Sequence, residues 1–283
     1  MFSNLLKFIY SIIKKTPILY KIYIYKENYF KIYINKKTNS KIINNRFKIP
    51  LIVHQSWDDN YFPYTIGKHI KNFRELNPDV QFKIYNNKDV NNFMKKFYKN
   101  HKIYEIFKNS IFWPMKTDIF RYCKVYQHGG FWFDIKSGVN KQLSKILDPK
   151  TDILISFELD KKQEKKKYIN NIQYPNNWIC NWGFAATKKN KILKNLINNI
   201  CNHYEFYKDK NFKYPKTAIL ELTGPRMLTN TIIDEIKTKN FRLKVQQEGI
   251  NFHNQGVYAY GGATLLFSKK KHYSFYRNSK IIK

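Results

Sequence analysis

Apolar side chains between residues 116 and 137 follow first a helical period and then an extended one. Four of them recur at helical spacing and would form one stripe: Ile119, Tyr122, Cys123 and Tyr126. Gly129 and Gly130 follow, and glycine accepts the left-handed conformation in which helices often end. The aromatic and β-branched run at 131–135 then predicts a buried strand with Asp134 near its carboxyl end.

The pattern before this block predicts a strand, a helix and a second strand. Apolar runs at 51–53 and 80–85 are typical of strands, and a helical pattern at 66–77 lies between them. Strands joined through a crossover helix are parallel. Three further elements are predicted after the block: a strand at 152–157 and helices at 188–204 and 226–237. The chain is therefore predicted to have an α/β fold with a partly parallel sheet.

Residues 1–45 carry a different pattern, in which lysines interrupt apolar residues every few positions. We expect neither a membrane span nor a cleaved signal peptide there, because no uncharged run reaches ~18 residues. Four apolar residues lie at helical spacing among the lysines: Leu5, Phe8, Ile9 and Ile12. Such a basic helix either lies on an anionic membrane or packs on the rest of the protein. We treat 1–45 as an extension and 46–283 as the main domain.

Composition places the chain among globular proteins with a strongly basic surface. Of its 283 residues, 43% are hydrophobic and 17% are aromatic, which argues for a packed core rather than disorder. The formal net charge of +32 attracts polyanions, including nucleic acid, anionic membranes and phosphorylated sugar carriers. Heavy use of Lys, Ile, Asn, Tyr and Phe is also what an AT-rich genome encodes, so the charge alone does not select a partner.

Cysteine and asparagine usage indicates a reducing compartment. Cys123, Cys180 and Cys201 are widely spaced and form no C-x-x-C pair, so neither a zinc site nor a disulfide framework is expected. No Asn-x-Ser/Thr acceptor for glycosylation occurs. We therefore expect a cytoplasmic protein, with peripheral attachment to a membrane left open.

Charged residues flank the buried aromatic strand. Asp118 and Arg121 lie one turn apart on the predicted helix, and Asp134 and Lys136 come at the end of the strand. Asp134 alone is equally compatible with a carboxylate that caps the next turn. Two acids and two bases beside a packed core are costly unless they serve a polar ligand, so the four together indicate a binding site.

These residues carry a resemblance to a known family. The segment K-T-D-I-F-R-Y at 116–122, then G-G, then F-D-I-K at 133–136, is similar to the central block of glycosyltransferase family 32. That family shows K-S-D-x-x-R-Y, G-G and an aromatic strand that ends in D-x-D. The segments I-P-L-I-V-H-Q-S-W at 49–57 and L-T-G-P at 222–225 also resemble the family. One departure is that Lys136 stands where the family has the second acid of D-x-D.

The resemblance implies a GT-A-type α/β fold with a mixed, mostly parallel sheet flanked by helices. It implies transfer of a hexose or N-acetylhexosamine from a UDP- or GDP-sugar to a hydroxyl of a glycan or of another acceptor, with retention. The expected catalytic residues are Asp118, Arg121 and Asp134. The expected donor-binding residues are Gln55, Trp57, Asp118, Arg121, Asp134 and Lys136. The expected acceptor-binding residues are Glu158, Asn181 and Trp182.

The metal requirement is where this sequence departs from the family. The resemblance implies Mn²⁺ or Mg²⁺ bound by Asp134 and His272. An ammonium cannot bind a cation but can pair with a phosphate oxygen, so Lys136 predicts weak or altered metal dependence, with Arg121 sharing the charge of the diphosphate.

Two rival interpretations remain from the sequence. Lys136 would also mark a transferase fold that has lost its activity. The charge and the interleaved aromatic residues would also suit a basic protein that binds nucleic acid or another polyanion. No recognised nucleic-acid motif is present, so we expect no specific nucleic-acid partner. The transferase interpretation requires the carboxyl groups of Asp118 and Asp134 to face each other at a cleft.

Overall fold

The computed structural model describes residues 16–38, 46–157, 178–238, 242–247, 257–259 and 273–283. Glu158 and His272, two of the predicted site residues, lie outside these ranges. The helices in the described ranges are α1 (Pro17–Tyr29), α2 (Tyr64–Leu76), α3 (Asn87–Tyr98), α4 (Lys102–Asn109), α5 (Trp113–His128), α6 (Leu143–Ile146), α7 (Lys191–Tyr207), α8 (Pro215–Leu222) and α9 (Pro225–Lys237). The strands are β1 (Ile32–Tyr33), β2 (Ile52–Ser56), β3 (Tyr61–Phe62), β4 (Gln81–Tyr85), β5 (Gly130–Phe133), β6 (Ser137–Val139), β7 (Ile153–Ile155), β8 (Gly183–Ala186), β9 (Val245–Gln247) and β10 (Val257–Ala259).

A six-stranded sheet in the order β4-β2-β5-β8-β7-β9 organises the fold. Strand β2 runs parallel to both β4 and β5, strand β8 runs antiparallel to β5 and β7, and β9 is parallel to β7. Three of the five pairings are thus parallel. The predicted α/β class, with a mixed and mostly parallel sheet flanked by helices, is confirmed.

Strand β5 is buried on both faces, as its unbroken aromatic sequence requires. Phe131 and Phe133 pack in one cluster with Phe73 of α2, and Trp132 packs in the opposite cluster with Phe120 of α5. Helices therefore cover both sides of the strand, and only its carboxyl end is left to carry polar groups.

Helix α5 delivers the chain into β5 through a glycine. Gly129 has φ of +68°, and a Cβ atom there would lie 2.8 Å from the backbone nitrogen of Lys188 and 2.9 Å from Cδ of Pro50. Only glycine tolerates both this conformation and this crowding. The predicted end of the helix is confirmed, and β5 is shorter than predicted, because Asp134 follows the strand rather than lying in it.

The described part of the N-terminal segment packs on the main domain. Glu27 of α1 is 2% exposed, and it accepts hydrogen bonds from the backbone nitrogen (2.8 Å) and the hydroxyl of Thr65, in the first turn of α2. Strand β1 pairs with β3. The proposed boundary at residue 45 remains a prediction. None of the described helices has the length and apolar character needed to cross a membrane.

Candidate active site

The tip of β5 holds the carboxylate of Asp134 in place from two sides. Its backbone nitrogen donates to the carbonyl of Trp182 at 2.8 Å, which ties it to the segment before β8. Nε1 of Trp132 donates to Oδ1 of Asp134 at 3.1 Å. The side chain of Asp134 remains 29% exposed, so its carboxylate is available to a ligand.

Arg121 joins the two acids that the sequence singled out. Its Nη2 atom lies 3.1 Å from Oδ1 of Asp118 and 3.2 Å from Oδ1 of Asp134. The guanidinium also lies over the ring of Trp132, 5.3 Å from its centroid. Because one nitrogen contacts both carboxylates, the two acids face each other, which is the arrangement that the transferase interpretation requires.

Asp118 is held by residues from two distant loops. Nδ2 of Asn181 donates to Oδ1 of Asp118 at 3.0 Å, and the hydroxyl of Thr223 donates to its Oδ2 at 3.2 Å. The carbonyl of Asn181 in turn accepts from Nη1 of Arg121 at 2.6 Å. Thr223 lies in the L-T-G-P segment that resembles the family, but the role of its hydroxyl could not be read from the sequence.

Burial dominates the electrostatics of this cluster. It raises the pKa of Asp118 to about 7, although Arg121, Thr223 and Asn181 all favour the ionised carboxylate. Burial lowers the pKa of Arg121, but the attraction of Asp134 and Asp118 outweighs it and the net shift is upward. With both acids ionised, the three side chains carry a net charge of −1, most accessible at Asp134.

The predicted nucleotide-side residues have different surroundings. Gln55, near the carboxyl end of β2, is 1% exposed, and neither polar atom of its amide has a hydrogen-bond partner among the described residues. Such an unpaired buried amide costs about 1–3 kcal/mol, which a ligand could recover. Trp57 stacks on Phe62 with ring centroids 5.6 Å apart and packs against a core cluster. Lys136 is half-buried in the turn after Asp134.

The predicted acceptor residues do not share one orientation. The amide of Asn181 points inward to Asp118 and Tyr122, and the residue is 7% exposed. Trp182 is half-buried against the cluster that contains Phe131. Gly224 is required by its neighbours, because a Cβ atom there would lie 2.7 Å from Cα of Leu220. The role of Glu158 stays a prediction, since this residue lies outside the described ranges.

The donor set for a metal ion is small. Both oxygens of Asp118 are engaged by protein groups, and Lys136 occupies the position of the second D-x-D acid, which leaves Asp134 as the one accessible carboxylate of the cluster. In the part of the chain that the structure describes, no three His, Cys, Asp or Glu residues are grouped to hold a metal. Among the described residues, one carboxylate beside a lysine does not fit a bound divalent ion, and the predicted ligand His272 lies outside them.

A family profile described as the glycosyltransferase sugar-binding region containing a DXD motif matches residues 63–153. These residues include Asp118, Arg121 and Asp134. This part of the chain is therefore similar to the DXD-motif region of glycosyltransferases. Gln55, Asn181 and Thr223 lie outside the matched region, so the residues around Asp118 and Gln55 come in part from flanking segments.

Curated proteins similar to this chain include fungal mannosyltransferases. The chain is 30% identical to inositol phosphoceramide mannosyltransferase 1 of Schizosaccharomyces pombe over 187 residues, which cover 64% of this chain and 50% of that protein. It is 24% identical to the initiation-specific alpha-1,6-mannosyltransferase of Candida albicans over 211 residues, which cover 65% and 52% respectively. The chain thus spans about half the length of these relatives.

Two solved glycosyltransferases are similar in structure. The PaToxG glycosyltransferase shares 17% identity at a TM-score of 0.49, with 76% of this chain and 75% of that chain covered. The ligand-free glycosyltransferase domain of the YGT toxin shares 11% identity at a TM-score of 0.48, with 73% and 81% covered.

The raised pKa of Asp118 predicts how its contribution to stability depends on pH. An unfolded aspartate has a pKa of about 3.9, so between about pH 4 and pH 7 the folded protein keeps a proton that the unfolded chain has released. The contribution of Asp118 to stability therefore falls as pH rises through this window. Asp118→Asn has no ionisable group at this position, so its stability lacks this fall with pH. The free energy of unfolding of the variant, minus that of the wild type, should therefore increase by at least about 1.4 kcal/mol between about pH 4 and pH 7.

Urea denaturation at about pH 4.5 and pH 7.5 measures this difference. Asp209→Asn, at an exposed ion pair with Lys280, serves as the control and should show no such trend. The opposite trend for Asp118→Asn would mean that Arg121 and the hydrogen bonds outweigh burial.

Proposed function

We propose that this chain transfers a hexose or N-acetylhexosamine from a UDP- or GDP-linked donor to a hydroxyl group of a glycan acceptor, with retention of configuration. The observation that carries the proposal is the convergence of Asp118, Arg121 and Asp134 at the tip of β5, with only Asp134 appreciably exposed. The names of the fungal relatives make mannose the first sugar to test.

Asp134 is the residue we assign to the reacting sugar. Positive charge builds on the sugar ring as the bond to the diphosphate breaks, and a fixed carboxylate that needs no reorganisation stabilises this charge. Arg121 acts through Asp134, because both of its terminal nitrogens already contact protein groups and hold the carboxylate in place. Asp118 fixes Arg121 in turn.

Lys136 is the residue we assign to the departing diphosphate. It lies two positions beyond Asp134, in the turn that joins β5 to β6. An ammonium about 4 Å from a phosphate oxygen contributes on the order of 4 kcal/mol where the effective dielectric constant is about 20. This charge would take over part of the work that the missing second acid and its metal ion do in other members of the family.

Gln55 supports a nucleotide at the carboxyl end of β2. Its amide offers one donor and one acceptor group, and neither is satisfied by another described residue. The polar edge of a nucleobase has the same two kinds of group, so a bound nucleotide would remove the cost of the unpaired amide. The base would then lie one strand away from Asp134.

The mode of retention follows from the surroundings of Asp134. Asp118, the nearest second carboxylate, is buried and engaged on both oxygens. It is therefore poorly placed to act as a nucleophile on the sugar. We infer that the acceptor hydroxyl attacks on the face that the diphosphate leaves.

An exposed face of α1 supports contact with an anionic membrane. Five large apolar side chains of this helix are exposed: Ile18, Leu19, Ile22, Tyr25 and Tyr29. Lys21 and Lys26 lie among them, and apolar side chains interleaved with lysine are typical of helices that lie on a membrane surface. The three cysteines are free thiols, which favours the cytoplasmic side.

Asp134→Asn tests the catalytic assignment. It keeps the size of the side chain and removes its charge, so transfer should fall by about 10²–10³-fold while the protein stays folded. The measurement is a screen of UDP- and GDP-sugars for hydrolysis and transfer, with Asp209→Asn as the matched control. Near-native turnover by Asp134→Asn would refute the assignment. A wild-type protein without turnover, or with only salt-sensitive RNA binding, would favour a degenerate or polyanion-binding protein.

Lys136→Asp tests the role of the lysine, because it restores the D-x-D pattern. The wild type should keep most of its activity in excess EDTA, whereas Lys136→Asp should lose it in EDTA and regain it with Mn²⁺. Lys136→Gln separates the loss of the positive charge from the gain of a carboxylate, and should be slow with or without metal. Wild-type activity that disappears in EDTA and returns with Mn²⁺ contradicts the proposal.

Ile22→Glu tests membrane contact through α1. Sedimentation with vesicles that contain phosphatidylserine should show wild-type binding that weakens with salt, and binding at least about 10-fold weaker for the variant. Phe206→Glu is the matched control, because Phe206 is 62% exposed and Ile22 is 58% exposed. If Ile22→Glu and Phe206→Glu weaken vesicle binding equally, α1 is not the contact surface.

A further inference from the structure

Lys124 of α5 is a buried cation whose aromatic neighbours belong to β4 and α3. It is 7% exposed, and its ammonium lies 4.6 Å from the ring centroid of Tyr85 and 4.5 Å from that of Phe93. Ring faces attract a cation, but they do not neutralise it. Burial and the charge of Lys83 lower the pKa of Lys124 to about 8, so it is still largely protonated at neutral pH.

Other cations surround this position. Lys83 on β4 lies opposite Lys37 across an antiparallel bridge, and its neighbour across the register with β2 is His54. Partners in adjacent strands point to the same face of a sheet, so Lys83 and Lys37 are directed to the face that α5 covers. Like charges placed directly opposite each other are destabilising. His128, at the end of α5, is exposed beside Phe93, with ring centroids 5.7 Å apart.

No ion pair within the described residues neutralises these charges. None of the ion pairs in the described ranges includes Lys37, Lys83 or Lys124. The nearby carboxylate of Asp89 accepts the backbone N–H of Asn86 in the capping box of α3.

The two titratable neighbours of Lys124 also carry no negative charge. Nε2 of His54 lies 3.0 Å from the carbonyl of Gly129, which can only accept, so Nε2 bears the proton and Nδ1 accepts from the hydroxyl of Tyr85. His54 is therefore neutral, and burial first and then Lys124 lower its pKa to about 3. Burial raises the pKa of Tyr85, so its hydroxyl keeps its proton.

We propose that Lys37, Lys83 and Lys124 form a binding site for a phosphate group at the outer edge of the central sheet, separate from the sugar-transfer site. A phosphate monoester carries a charge of about −1.5 to −2 at neutral pH, so it compensates more than one ammonium, which a carboxylate does not. Lys124 is too enclosed to contact an extended polyanion, so the ligand is a single compact group. It comes either from a free phosphate compound or from the headgroup of a lipid.

The phosphate site and the transfer site use neighbouring positions of α5 but contact different elements. Lys124 contacts Tyr85 of β4 and Phe93 of α3, whereas Arg121, one turn earlier, contacts Asp134 beyond β5. Strand β2 lies between β4 and β5. Occupancy of one site is thus measurable in a protein whose other site has been altered.

Thermal unfolding in inorganic phosphate, against chloride at equal ionic strength, tests the proposal. A ligand that binds only the folded protein raises Tm, by roughly 4 °C at about 100 times its Kd for a chain of this size. Lys124→Met keeps the apolar stem and should abolish the shift. Lys83 is half-buried, and Lys83→Gln should reduce the phosphate-induced rise in Tm several-fold. This second variant tests the proposal if Lys124→Met does not fold.

Lys136→Gln is the matched control, because it removes a lysine from the transfer site and should leave the phosphate shift unchanged. Dioctanoyl phosphatidic acid, tested beside inorganic phosphate, distinguishes the two sources. A shift with both at similar concentrations indicates a free phosphate compound, and a shift with the lipid alone indicates a headgroup. A wild-type protein that responds to neither, or a response that Lys136→Gln removes and Lys124→Met keeps, would overturn the proposal.

Discussion

A buried guanidinium between two carboxylates is the constraint on which the rest of this structure depends. Arg121 is 5% exposed and contacts both Asp118 and Asp134. Removing one member of such a buried group typically costs 3–5 kcal/mol, because it leaves an uncompensated charge away from water. The surrounding elements must therefore hold all three residues in register, and what they leave accessible is one oriented carboxylate.

The surrounding fold meets this requirement from three directions. Gly129 turns α5 back onto the sheet, so that the helix bearing Asp118 and Arg121 lies over the strand that ends at Asp134. The segment before β8 supplies Asn181, and the turn before α9 supplies Thr223. Each contributes a hydrogen bond to a charged group, which is worth more than one between neutral groups.

The strong basic charge of the chain takes two different structural forms. Most of the lysines in the described ranges are exposed, where water and salt screen them. Lys124 differs, since it is enclosed by aromatic rings and other cations with no carboxylate paired to it in the described residues. A genomic bias toward lysine explains the first group but not the second, because burying an unpaired ammonium opposes folding.

The sequence by itself determined the local elements and the identity of the central block. Helical spacing, the Gly-Gly break and an aromatic strand are local signals, and they placed Asp118 and Arg121 on one face of a helix and Asp134 at a strand end. The acceptor role expected for Asn181 from its sequence position did not anticipate an amide turned inward to Asp118.

Only the tertiary structure decided which partners complete the site. Asn181 and Thr223 lie 63 and 105 residues from Asp118 along the chain, and the unbalanced charge around Lys124 arises from three separate elements. Periodicity reports which face of an element is buried. It does not report which distant side chains meet there, because that depends on how the helices and strands pack together.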